Sequence, residues 1–484
     1  MDTIESCQQK ILELIDAVEQ DGSGTVANGS DIAQKMAHYY AKMGDLFLEQ
    51  NDRAKAAASY ETALHLNPRQ LSARMSLLKT KGFVSEDDTT KAFLQGMLAE
   101  QPQNVGMLNQ LGKLHYKMYE RGPALECFRQ ALEVEENAES LYWIAGIQQD
   151  LGERAAAEEN YKRAAKLRPL IKVPAARAVP EFSVLLLFAP FAGNTPTEYL
   201  MAKPPYEINI APLFAGMPCD IETLKKSGQV VINFVSDADQ GRELLPQVVK
   251  IVDSLRMPVI NHPSKIQKTT REGIAQLLRG IPGCRLAQVV RHMAGEKLPA
   301  KLPFAAPMLA RPAGTHGGEK FEKIENLSAL EALIRQEPEA DHYLMEYIDY
   351  KSTDGHFRKY RFIFVDGQIL PYHLAIGNDW KVHHITTDMH KTDWMQAEEK
   401  TFLEKPEAVF SPKNCQSLHA IRQAVGLDYF GIDCGLDRDG NLVVFEVNAS
   451  MLVHQHNEAF PYKTPFVENI KRAFDGMLEK KVKA

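Results

Sequence analysis

The sequence contains no C-x-x-C pair: its six cysteines, Cys7, Cys127, Cys219, Cys284, Cys415 and Cys434, lie scattered along 484 residues. That spacing excludes a zinc cluster or disulfide frame built on close pairs and suits the reduced thiols of a cytoplasmic protein. Long apolar runs are also missing, and the stretch Val184 to Phe188 falls far short of the roughly 20 residues that span a bilayer. Residues 1 to 10 are polar and acidic where a secretory leader needs a basic and then an apolar start, so no membrane role is expected. Nor is there an excess of positive charge. A formal net charge of -7 leaves no extended basic surface for phosphate neutralisation, so nucleic acid is not an expected partner.

What remains is ordinary globular composition, 44% hydrophobic and 25% charged, in a chain too long for a single core. Internal periodicity appears first. Gly44, Phe47, Ala56, Tyr60, Ala63 and Pro68 set a pattern that Gly112, His115, Ala124, Phe128 and Ala131 repeat 68 residues later, two periods of 34. Pro102 falls one period after Pro68, a degenerate unit lies between, and Gly146, Tyr161, Ala164 and Pro169 form a last copy one residue out of phase in its second half. Small residues let two helices approach, aromatics fill the gap, and proline closes the second helix. The pattern resembles the tetratricopeptide repeat over roughly residues 35 to 170. Residues 1 to 30 are expected to hold a flanking helix, with Asp21 to Ser30 a loop rich in Gly, Ser and Asn. A repeat solenoid offers a concave groove for a peptide or protein partner and serves equally for packing or homo-oligomerisation.

From Phe182 the pattern changes to short apolar runs, VLLLFAP, VVINFVSDAD and PVIN, separated by helical stretches such as Gly241 to Leu255. That alternation predicts a small open α/β sheet. Asn194 and Asp237 follow strand ends, where open sheets bind ligands and where Asx residues also cap loops.

Five segments then carry chemistry. NHPSKIQKTTREGIAQLLRGIPG reads as a strand end and an amphipathic helix with Lys265, Lys268 and Arg271 near its start. MLARPAGTHGGEKF places Arg311 before a loop holding Gly314, Gly317 and Gly318, whose backbone N–H groups can close on phosphate oxygens. YLMEYIDY reads as a strand leaving a hydrophobic cleft through Glu346, Tyr347, Ile348 and Asp349. FRKYRFIFVDGQILPYH is a hairpin turning at Asp366-Gly367, with Arg358 and Tyr360 on one face, Lys359 and Arg361 on the other, and His373 at its end. In FGIDCGLDRDGNLVVFEVNAS, Asp433 lies on one strand while Glu446 and Asn448, two apart, share a face of the next. Hard oxygen donors so placed suit Mg²⁺. Histidines 383, 384, 390, 454 and 456 offer no complete tetrahedral set.

In this order the segments resemble the ATP-grasp ligases, nearest the glutathione-synthetase-like and ribosomal-protein glutamate-ligase branch, over roughly residues 182 to 475. The resemblance implies three parts: an all-α tetratricopeptide-repeat solenoid (1–172), an α/β pre-ATP-grasp domain (181–262) and an α+β ATP-grasp catalytic domain (263–484). It implies ATP and magnesium as cofactors, two ions held by Asp433, Glu446 and Asn448 with Glu446 bridging. Nucleotide contacts fall to Arg271 and Arg311, which stand where the family has lysines, to Gly314, Gly317 and Gly318, and to Glu346, Tyr347, Ile348 and Asp349. Arg361 matches the arginine near the acyl phosphate and is the expected catalytic residue, while Lys359, His373, Lys381, His454 and His456 are expected at the substrate. The implied reaction joins a small-molecule or peptide carboxylate to an amine with release of ADP and phosphate. A non-catalytic nucleotide-binding scaffold and a phosphotransferase are the competing readings.

Overall fold

Glycine decides how the N-terminal helices pack. In the computed structural model, α1 (Ile4–Gln20), α2 (Val26–Glu49), α3 (Arg53–Leu66), α4 (Leu71–Thr80), α5 (Glu86–Glu100), α6 (Val105–Lys117), α7 (Arg121–Val134), α8 (Ala138–Asp150) and α9 (Arg154–Leu167) make one unit, Met1–Arg168. A Cβ at Gly44 would sit 2.4 Å from the Tyr60 ring, and one at Gly112 would sit 2.7 Å from Phe128. Only glycine lets α3 and α7 bring those fully buried rings against α2 and α6. The out-of-phase last copy is looser, because Tyr161 meets the Gly146 position only through its hydroxyl, at 3.6 Å. Side chains of Asp52, Asn104 and Asn137 cap α3, α6 and α8 by accepting backbone N–H groups.

The structure describes residues 3–20, 26–68, 70–80, 86–191, 193–196, 199–299, 301–315, 318–382, 387–454 and 458–483. Two expectations shift. Val26 to Ser30 of the expected loop already belong to α2, while Asp21 to Thr25 lie outside the described residues. The expected end of the helical domain at 172 falls inside β1 (Ile171–Val173), which pairs with the following sheet, so the helical unit closes at Arg168.

The second unit, Pro169–Ala484, opens with a sheet in the order β1-β3-β2-β4-β5, where β2 is Ser183–Phe188, β3 Glu207–Pro212, β4 Val230–Asn233 and β5 Val259–Ile260. Strands β2 to β5 run parallel, and their unbroken apolar sequences reflect burial on both faces. Leu185, Leu187 and Val231 face Val248, Ile251 and Val252 of the helix Leu245–Leu255. Val184, Leu186 and Ile232 face the other way, onto Val467, Ile470 and Phe474 of the C-terminal helix Thr464–Lys483.

Two further sheets follow. One is antiparallel in the order β7-β10-β8-β9: β7 Val289–His292, β8 Met308–Pro312, β9 Glu322–Ile324, β10 His342–Glu346. The other has the order β12-β11-β13-β14-β6, with β6 Cys284–Leu286, β11 Phe357–Val365, β12 Gln368–Gly377, β13 Tyr429–Leu436 and β14 Leu442–Asn448. The β11–β12 turn has φ of 44° at Asp366 and 84° at Gly367, as the Asp-Gly pair predicts. The expected single helix after β5 is broken in two, Pro263–Ile266 and Arg271–Leu277, because the Thr270 hydroxyl accepts from Gly273 N and starts the second afresh.

Candidate functional site

Strand register assembles the site. His373 on β12 pairs with Arg361 on β11, Arg361 with Asp433 on β13, and Asp433 with Glu446 on β14, so four predicted residues form one row across the sheet. Asp433 is buried and accepts Arg361 Nε at 2.6 Å and Nη2 at 2.9 Å. Lys359 Nζ adds a third cationic contact at 3.1 Å. Burial would raise this carboxyl, but Arg361 and Lys359 outweigh it and hold Asp433 far below the usual carboxylate range. Arg358, on the opposite face, pairs with Asp354 and Glu398, and Tyr360 is buried, as alternation along a strand requires.

The row borders a chamber between the antiparallel sheet and the mixed sheet in which β6 runs parallel to β14. Its lining is apolar at Ala287, Leu309, Met345, Ile348 and Val444, cationic at Arg271, Arg311, Lys359, Arg361 and Lys381, and acidic at Glu346, Asp433 and Glu446. Arg311 is 3% exposed. Its Nε donates to Thr315 Oγ1 at 2.9 Å, while its buried Nη2 has no hydrogen-bond partner among the described residues. Burial, then the nearby Arg271, bring this guanidinium down to about 10. Arg271 donates to Phe445 O at 3.3 Å and lies 3.6 Å from Glu446. Lys265 instead reaches Gly426 O, and Lys268 is exposed.

Gly314 and Gly318 adopt φ of 74° and 79°, the left-handed region that glycine enters without strain. Gly317 lies outside the described residues. Lys381 donates to Phe321 O at 3.0 Å beside Gly318. Glu346, Tyr347 and Ile348 line the chamber. The Glu346 carboxylate also accepts Gln288 N at 3.2 Å. Asp349 is not among the lining residues: it accepts Lys351 N and pairs with Arg438 at 3.6 Å.

Three further expectations resolve differently from one another. Asn448 faces Glu446 with Nδ2 at 3.3 Å, and its oxygen accepts Ser450 N and Oγ at 2.7 and 2.6 Å, so it braces Glu446 from the side. His373 points into a buried cluster, 2.7 Å from Glu399 and 2.8 Å from Lys463 Nζ, and does not line the chamber. His454 is exposed, its N–H donating to the Tyr372 hydroxyl, and it too is absent from the lining; His456 lies outside the described residues.

Sequence reasoning missed the Glu399 cluster, in which one carboxylate accepts His373, Leu374 N, Lys463 and the Tyr462 hydroxyl. No motif spans those distances in sequence. It also missed a second chamber, which shares Arg271 and Glu446 with the first and is bounded by Ser236 to Asp239 after β4. The available signal was Asp237. Asn194, the other candidate there, caps its loop by bonding Ala189 N and O.

The tetratricopeptide repeat model matches residues 37–70 and 138–169. No curated protein matches the chain in sequence. Among solved structures, D-alanine–D-alanine ligase from Bacillus anthracis complexed with ATP is 14% identical, covers 62% of this chain and 97% of its own, and has a TM-score of 0.39. A RimK domain protein ATP-grasp from Sphaerobacter thermophilus DSM 20745 is 13% identical, covers 62% and 100%, and scores 0.36. MamA is 16% identical, covers 34% of this chain and 94% of its own, and scores 0.23. At these scores nothing about the chemistry follows from the likeness, and the side chains carry it alone. No described helix is long and apolar enough to cross a membrane.

Proposed function

We propose that the second unit is an ATP-grasp-type carboxylate–amine ligase that uses ATP and magnesium and releases ADP and phosphate. The observation that carries this is the chamber between the antiparallel sheet and the mixed sheet, whose lining combines apolar residues with five cations and the carboxylates of Glu346, Asp433 and Glu446. Apolar lining suits a purine, and the excess of cations suits a polyphosphate. The buried Nη2 of Arg311, without a partner among the described residues, supports the same reading, because leaving such a donor unmet costs about 1–3 kcal/mol and a phosphate oxygen would satisfy it.

The donor set also fits a hard cation. Asp433 and Glu446, set opposite one another by register, would hold magnesium, with Asn448 bracing Glu446. When bound, magnesium would offset negative charge on the phosphate oxygens. In the reaction the acid's carboxylate oxygen takes the terminal phosphoryl group of ATP, giving an acyl phosphate and ADP. The amine nitrogen then attacks the acyl carbon, the carbon–oxygen bond to phosphate breaks, and the nitrogen loses a proton. Arg361, lining the chamber from Asp433, is placed to meet charge developing during transfer, and Arg271 to meet it beside Glu446. In this reading the helical unit docks a peptide or protein that carries one substrate, as concave repeat surfaces do.

The test is product analysis of the intact protein supplied with ATP, Mg²⁺ and pooled acids, amines and peptides. An amide formed in step with ADP and phosphate is expected. A stable phosphorylated acceptor would replace this reading with a phosphotransferase, and ATP binding without turnover on any pool would replace it with a nucleotide-binding scaffold.

A further inference from the structure

Three of the five cations that line the chamber are held by the two carboxylates proposed as magnesium ligands. Asp433 is engaged through both oxygens. Its Oδ1 accepts Arg361 Nε at 2.6 Å, while Oδ2 accepts Arg361 Nη2 at 2.9 Å and Lys359 Nζ at 3.1 Å. Cationic donors therefore take most of the roughly four lone-pair directions of that carboxylate. On Glu446, Oε1 lies 3.6 Å from Arg271 and accepts Asn448 Nδ2 at 3.3 Å. The other two cations turn elsewhere: Arg311 donates to the Thr315 hydroxyl and Lys381 to Phe321 O.

A metal ion and these side chains would compete for the same oxygens. A dication at Asp433 would stand within a few ångströms of Arg361 and Lys359, and like charges that close repel strongly where water is scarce. The converse holds for anions. While Asp433 matches their charge at contact distance, Arg361 and Lys359 attract an oxyanion weakly. Once Asp433 is matched by another cation, they become two uncompensated charges, two residues apart on one face of β11 and both lining the chamber. Long flexible stems let both heads turn while the strand stays in register with β12 and β13.

We propose that Lys359 and Arg361 are a latent oxyanion site: Asp433 holds them until a divalent cation takes their place there, and they then receive the carboxylate of the acid substrate. The device imposes an order, metal and nucleotide before acid, so that the acid meets its cations only beside a phosphoryl donor. By reciprocity, an oxyanion on Lys359 and Arg361 strengthens the metal by the same factor. This rests on the reading of Asp433 and Glu446 as magnesium ligands.

The experiment follows the ¹⁵N–¹H signal of Arg361 Nε in the intact protein, assigned by its loss in Arg361→Lys. That signal should change when Mg²⁺ and a non-hydrolysable ATP analogue are added together, as the bond to Asp433 is given up. Acetate, the probe for a carboxylate, should then shift it further, and should leave it unmoved before Mg²⁺ and the analogue are present. In Lys359→Met, where Asp433 keeps its two bonds to Arg361, the Mg²⁺ concentration giving half the rise in melting temperature should fall about tenfold, because one competing cation is gone. An unmoved Arg361 signal in a protein that binds the analogue only with Mg²⁺ would overturn the exchange and leave the nucleotide reading standing. So would an acetate shift that is the same with and without Mg²⁺, no acetate shift in either state, or an equal Mg²⁺ midpoint in Lys359→Met. Analogue binding that ignores Mg²⁺ would overturn both.

Discussion

Arg361 grips Asp433 through two parallel hydrogen bonds, Nε to Oδ1 at 2.6 Å and Nη2 to Oδ2 at 2.9 Å, from the position directly opposite it in the neighbouring strand. The geometry is bidentate and mostly buried, with the Asp433 side chain 4% and the Arg361 side chain 23% exposed. It fixes a carboxylate at the chamber wall before any ligand arrives.

Removing one partner of such a pair leaves a buried charge. Arg361→Met should therefore destabilise the chain by about 3 kcal/mol, read as a lower urea midpoint, with Asp433→Leu in the same chain recovering most of the loss. A loss under about 1 kcal/mol would show that Lys359 alone suffices for Asp433.

Arg311 should behave oppositely. Its Nη2 is buried without a partner among the described residues, so Arg311→Met removes a desolvation penalty and should leave stability unchanged or raise it by about 1 kcal/mol. Affinity for ATP should fall at least about tenfold, because a charge-assisted contact is lost. A protein that is destabilised yet binds ATP normally would make Arg311 a structural residue.

The repeat glycines are not equivalent. Gly112→Ala places Cβ 2.7 Å from the Phe128 ring and should cost about 1–3 kcal/mol through overpacking. Gly146→Ala meets only the Tyr161 hydroxyl at 3.6 Å and should be neutral or stabilising by up to about 1 kcal/mol, since alanine is the better helix former. Thermal denaturation of the two variants decides between this and a uniform role for the small residues.

Acid should act on the Glu399 cluster. Burial and Lys463 hold His373 down to about 4 despite Glu399, so below its ordinary value of 6.5 the unfolded chain takes up a proton that the folded chain refuses. Stability from this group is full above pH 6.5 and declines as pH falls toward 4. Glu399, held down to about 2 by His373 and Lys463 against burial, adds a contribution present above its ordinary 4.5 and lost as pH falls toward 2. Melting temperature against pH, compared between the intact protein and His373→Gln, should show the step between 6.5 and 4 only in the former.

Much of this was legible in the sequence because it depends on local spacing. The 34-residue period marked the helix pairs, and Gly44 with Tyr60 and Gly112 with Phe128 are the contacts that period encodes. Alternation along β11 put Lys359 and Arg361 on one face, and both reach Asp433. Relations set by long-range packing were not legible. Glu399 meets Lys463 and Tyr462 from far along the chain, and the last helix covers a sheet built from residues 171–260. Sequence order also placed His373 at the substrate, yet its strand position aims it into the Glu399 cluster, and Asp349 turns toward Arg438 rather than the chamber. Pattern fixes which strand face a residue takes, while the neighbours that fill that face come from elsewhere in the chain.

In the proposed function the chamber between the antiparallel and the mixed sheet holds a nucleotide polyphosphate, with magnesium at Asp433 and Glu446. Its most direct test is calorimetric titration of ATP into the intact protein and into Glu446→Ala, each with and without Mg²⁺. Binding that Mg²⁺ strengthens is expected in the intact protein, with loss of that strengthening in Glu446→Ala at unchanged melting temperature. Absence of ATP binding to the folded protein, or an equal Mg²⁺ effect in both proteins, would contradict it.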